Sequence, residues 1–159
     1  MRMTRGLAEP MLDAFKAELD GSFGYVFSGP LPAGAGDALD MVNDHTLLSI
    51  LTESGDGTTG LTFDVPDDHS IAKNPSESWR GLISFSGAQA AESSLAPTFI
   101  RWCPPGDDGQ GAADTPRLQC TAGGPNSTAV ARLASDTLTD NGTAETGLAG
   151  FTYSLVPLQ

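Results

Sequence analysis

The sequence predicts a mainly β protein, a β-sandwich or jelly roll of about eight to nine short antiparallel strands behind one N-terminal amphipathic helix. Three observations predict it. An apolar ladder at helical spacing stops near Gly21. Beyond that point, short runs alternate apolar with polar residues between clusters of Gly, Pro and Asp. The 159 residues also include 19 glycines and 11 prolines, which suits a chain with many tight connections. The expected division is an arm and helix over residues 1–21 and a β domain over residues 22–159.

The helix is expected over Ala8 to Leu19, where Met11, Leu12, Phe15 and Leu19 share a face and Asp13, Lys16, Glu18 and Asp20 lie opposite. Pro10 suits a first turn, where its missing N–H costs nothing, and Gly21 suits a stop. About three turns do not hold alone in water, so the stripe must find a surface. That surface is either the domain's own core or a partner subunit.

Strands follow in order. Phe23, Tyr25 and Phe27 alternate with Gly24, Val26 and Ser28, a half-buried pattern, and Pro30 and Pro32 make the next stretch an irregular connection. Thr46 to Leu51 is apolar on both faces. A turn through Asp56-Gly57 leads into Leu61, Phe63 and Val65, and a short strand is expected around Ser70 to Ala72. Trp79, Ile83 and Phe85 form one face of the next strand, with Arg80, Leu82 and Ser84 on the other. Thr98 to Cys103 is again apolar on both faces, and a long Gly- and Asp-rich loop runs from Pro104 to Pro116. Leu118 and Cys120 alternate, Ala129 to Leu138 fits either strand or short helix, and Phe151, Tyr153 and Leu155 close the chain.

The formal charge of −12, with eight basic residues scattered along the chain, argues against nucleic acid and anionic membrane surfaces as partners. No stretch is long and apolar enough for a transmembrane helix, and no apolar region follows Arg2 and Arg5 to make a secretory signal. Cys103 and Cys120 form no disulfide framework; they are either buried thiols or a bridge between neighbouring strands.

No residue pattern assigns a catalytic, cofactor or metal site, and no small-molecule substrate is expected. His45 beside Asp44 and His69 beside Asp67 and Asp68 are neighbours in sequence only, and no GxSxG elbow occurs. Asp107 and Asp108 are the place to look for a cation, but the twelve-residue calcium loop is missing and Asp-Gly is ordinary turn chemistry. Trp79, Trp102, Tyr25 and Tyr153 could offer a sugar platform, or be core. Phe99 and Trp102 lie on opposite faces of one strand, so something beyond a single sheet interface must cover one of them, and a subunit contact would do so.

The order of segments resembles a group of small tailed-bacteriophage virion structural proteins. The likeness rests on Leu7-Ala8 with Met11-Leu12-Asp13-Ala14-Phe15-Lys16, then Tyr25-Val26-Phe27-Ser28-Gly29-Pro30-Leu31-Pro32 and Asp37-Ala38-Leu39-Asp40. It continues through His45-Thr46-Leu47-Leu48, Gly60-Leu61-Thr62-Phe63, Ile71-Ala72-Lys73, Trp79-Arg80-Gly81, Phe99-Ile100-Arg101 and Gly106-Asp107-Asp108-Gly109. The resemblance implies a non-enzymatic protein made in the host cytoplasm that decorates or cements the capsid surface. It implies the major capsid protein as partner and a homo-dimer or homo-trimer as the assembled form. A tail, neck or collar component, and a glycan-binding module, are the alternatives. The expected contact residues are Arg2, Arg5, Leu7, Met11 and Phe15 of the arm and helix, with Phe99 and Trp102.

Overall fold

The computed structural model describes residues 5–67 and 70–154, with side chains from Ala8 onward. Helix α1 (Arg5–Leu19) precedes eleven strands: β1 (Phe23–Ser28), β2 (Thr46–Glu53), β3 (Phe63–Asp67), β4 (Ser70–Lys73), β5 (Trp79–Gly87), β6 (Ser94–Leu95), β7 (Phe99–Cys103), β8 (Leu118–Gly123), β9 (Ala131–Leu133), β10 (Leu138–Thr139) and β11 (Glu145–Ser154). The mainly β class and the N-terminal helix are as expected.

The strand order corrects the finer expectation. Strands β11-β5-β2-β1-β7-β8-β9 follow one another and β9 pairs back onto β11, closing a seven-stranded barrel. All pairs in the ring are antiparallel except β8–β9, which is parallel. Strands β3 and β4 hang from the end of β11, where Ile71 pairs with Tyr153. Two of the extra strands, β6 and β10, are only two residues long and pair with each other, too short to leave a period in the sequence. The ambiguous stretch from Ala129 resolves as β9 followed by the start of β10.

The barrel interior holds Val26, Leu48, Leu51, Ile83, Phe85, Ile100, Leu118, Leu133 and Leu148. In the same core Phe63 of β3 interlocks with Trp79, Trp102 and Phe151 of the ring strands, with Trp102 and Phe151 ring centroids 4.4 Å apart and Phe63 edge-on to Trp79 at 5.1 Å. Such offset and edge contacts suit the charge distribution of aromatic rings.

A second, smaller core lies outside the barrel wall. Tyr25, Phe27, Leu47 and Phe99 point outward there against segment 29–45, which contributes Leu39 and Met41, and Cys103 of the same core lies beside Gly109 of the loop that follows β7. Phe27 stacks on Phe99 at 5.1 Å and His45 meets Phe99 edge-on at 5.9 Å. The chain therefore covers β1 and β7 on both faces, where the alternation of β1 alone suggests a half-buried strand.

Helix α1 packs on β3 and β4. Ala8, Leu12 and Leu19 are buried and Phe15 is partly buried against the main core, so the helical stripe docks on its own domain. The helix begins earlier than expected, placing Pro10 inside it rather than in its first turn. Its exit is clamped: the Phe63 amide donates to Asp20 Oδ1 at 2.8 Å, and the Gly21 amide donates to Leu61 O at 2.8 Å. Gly21 turns with φ +89°, a conformation that costs a residue with a side chain more.

Candidate functional site

The residues expected to contact a partner separate in the fold. Arg2 lies outside the described residues, as do the side chains of Arg5 and Leu7, whose backbone belongs to α1. Met11 is exposed beside the docked stripe, while Phe15 faces the core. Phe99 and Trp102 are both fully buried, Phe99 under segment 29–45 and Trp102 in the barrel. The covering of this two-faced strand is thus intramolecular, and no subunit is needed for it. Trp79 is buried as well, so neither tryptophan presents a ring to a sugar.

Two arginines that sequence reasoning passed over hold the outer loops. Arg101, on the outward face of β7, is fully buried. Its Nε donates to Gln119 Oε1 at 2.7 Å, one terminal nitrogen donates to Asp37 O at 2.8 Å and Gly109 O at 2.6 Å, and the other donates to Gly34 O at 3.2 Å. One guanidinium fork thereby ties segments 29–45 and 104–117 to the barrel, a geometry Lys cannot reproduce. Burial, with Arg117 nearby, holds the Arg101 pKa below its ordinary value. The available signal was a lone arginine within an otherwise apolar strand.

Arg117 grips Asp107 with two nitrogens, Nε to Oδ2 at 2.7 Å and a terminal nitrogen to Oδ1 at 2.5 Å, and donates to Gly111 O at 2.8 Å. The Asp107 carboxylate also accepts from Thr115 and from the Gly109 amide. It is a loop anchor, and its oxygens are taken. Among the described residues no group of three or more His, Cys, Asp or Glu side chains could hold a metal ion.

The Arg117 hydrogen bonds, followed by those from Thr115 and Gly109, hold the Asp107 carboxyl well below the usual carboxylate range. A depressed folded-state pKa gives stability that is complete above about pH 4 and is lost as the pH falls toward the folded value. Asp107→Asn is expected to cost about 3 kcal/mol at pH 7, because Arg117 stays buried without its partner. Urea titrations should show that difference narrowing below about pH 4. A constant difference across the acid range would remove this assignment.

His45 is buried at the junction of segment 29–45 and β2. Its Nε2 lies 2.9 Å from Pro30 O, and a carbonyl only accepts, so Nε2 carries the proton. Asp44 is not its partner. His69 and Asp68 lie outside the described residues. Glu77 is equally committed: it accepts from the Thr62 amide at 2.9 Å, the Thr62 hydroxyl and Trp79 Nε1 at 2.7 Å.

Cys103 and Cys120 are free and buried. They belong to neighbouring strands but to different cores, Cys103 outside the barrel wall and Cys120 inside it. Burial pushes both thiols up to about 12, and the Asp107 carboxylate adds to the effect at Cys103. A maleimide at pH 8 is expected to label neither cysteine in the folded chain and both after unfolding. Rapid labelling of Cys103 in the native chain would mean that segment 104–117 does not stay closed over it.

The outer face of β2 and β5 is open. A shallow groove of about 320 Å³ runs there, lined by Leu47, Ser49, Ile50, Leu82, Ser84 and Ser86 and by three glycines. It can offer apolar contact and the exposed hydroxyls of Ser84 and Ser86, while the Ser49 hydroxyl donates to Leu82 O at 2.9 Å, and it carries no group for acid–base work. Comparison of the chain with protein-family models, with curated proteins and with solved structures gave no match.

Proposed function

We propose that this chain is a non-enzymatic bacteriophage virion structural protein, a head decoration or cement protein bound between major capsid protein subunits on the outer shell. The observation that carries the reading is the use of five chemically capable side chains among the described residues. Arg101, Arg117, Asp107, His45 and Glu77 are all engaged in fastening loops and turns to a closed barrel. What they produce is a rigid body.

Further support comes from the surface. Large apolar side chains stand exposed at separate places, Met11 on α1 and Leu31 and Val42 on segment 29–45. A body that touches several capsomer edges at once gains from many weak contacts, because each makes the next effectively intramolecular. The net charge of −12 keeps such a body soluble and steers it toward basic surface on a shell protein.

The test is to locate the chain in purified particles. Antibody labelling spread over the head, at a copy number that scales with the shell subunit, is the expected result. A copy number matching the tail or neck rings would move the protein there, and absence from particles would remove the reading.

A further inference from the structure

We propose that the outer face of β2 and β5 is the contact surface between two copies of this chain, related by a two-fold axis. Ile50 and Leu82 are 40% and 50% exposed and stand beside a hollow bordered by Ser49, Gly81, Ser84 and Ser86. Knobs and hollow thus lie on one patch. A two-fold axis through such a patch seats the knobs of each copy in the hollow of the other, which is how an isologous contact complements itself. Both strands have hydrogen-bonded neighbours on each side within the ring, so the contact is face to face and not strand addition.

Charge selects the occupant. The chain carries 20 acidic and 8 basic residues, yet every residue lining this groove is uncharged. At the rim, Arg80 and Glu145 lie 3.6 Å apart and neutralise each other. The Asp56 carboxylate turns back to accept the Thr58 and Thr59 amides at 2.8 and 2.7 Å. A basic partner would be drawn to the acidic loops and would gain nothing here. A second copy bears the same −12, so it can approach closely only where the facing surfaces lack carboxylates. This inference is independent of where the protein resides.

Sedimentation of the full chain over a concentration series tests it. The expected result is a monomer–dimer equilibrium that tightens as salt is raised, since screening weakens repulsion between like-charged copies. Leu82→Glu places a carboxylate on each side of the axis and is expected to weaken the dimer by about 100-fold or more, with circular dichroism unchanged and the thermal transition unchanged at concentrations where both proteins are monomeric. Ser84→Glu, a second exposed position on the same face, is expected to act likewise and serves if the first variant misfolds. A chain that stays monomeric at every concentration and salt overturns the proposal, as does a dimer indifferent to both variants. Purified phage heads supply the remaining arm: binding by a monomeric chain that Leu82→Glu abolishes would give the face to the shell instead.

Discussion

Replacing Arg101 by methionine is expected to lower the unfolding free energy by about 3–5 kcal/mol, among the largest effects available to a single change in this chain. Methionine roughly fills the space, so the loss is not chiefly a cavity. It removes the donors to Asp37 O, Gly109 O and Gly34 O, which are then left without the arginine inside closed loops. An unsatisfied buried carbonyl costs about 1–3 kcal/mol, and the outer core of Tyr25, Phe27, Leu47 and Phe99 loses the fastening of its cover. Urea denaturation measures the total. Amide exchange adds a finer expectation, with residues 29–45 and 104–117 losing protection well before the barrel strands. Arg101→Lys restores the charge but not the fork, and should recover less than half of the loss. An unchanged urea midpoint in Arg101→Met would sink the idea that this guanidinium pins the loops.

The same residue marks the limit of what could be read from the sequence. In β5 the alternation was sufficient: Trp79, Ile83 and Phe85 point into the barrel and Arg80, Leu82 and Ser84 point out. A side chain that follows a two-residue period against one interior reports its own direction. In β7 the period fails because both faces are covered, and the cover on the outer face comes from segment 29–45. That segment is rich in Pro, Gly and Ala and has no period, so its role as a lid could not be seen locally. The requirement for a cover was legible in Phe99 and Trp102, but its source was not. Closure of the ring is equally invisible, since it depends on β11 pairing with β9 on one side and with the sequence-distant β5 on the other, a matter of global topology. The helix shows both cases. Its stripe was plain in Leu12, Phe15 and Leu19, whereas its docking on the home domain needed Asp20, whose carboxylate reads as solvent-facing and instead accepts the Phe63 amide.

Gly81→Ala is the second change expected to be severe, costing more than about 3 kcal/mol and lowering the melting temperature by roughly 10 °C. The reason is contact, not backbone angle. A Cβ at Gly81 would lie 2.0 Å from Ile50 O and 2.7 Å from Ser49 Oγ. The nearer atom is backbone in the adjacent strand, so no rotamer change relieves the clash and β2 must move away from β5. These two strands sit in the middle of the ring sequence β11-β5-β2-β1, where both have paired neighbours and neither can shift alone. Gly111→Ala is the matched control. A Cβ there meets nothing within 4 Å and no unusual φ accompanies it, so the same chemical change should stay within about 0.5 kcal/mol of the parent. Thermal unfolding of the pair isolates steric contact from the general entropy effect of replacing glycine. Equal melting temperatures would mean that β2 and β5 do not approach as closely as 2.0 Å implies. A melting temperature lowered only in Gly81→Ala would show that a single missing methyl group lets the strands beneath the Ile50–Leu82 face stay paired.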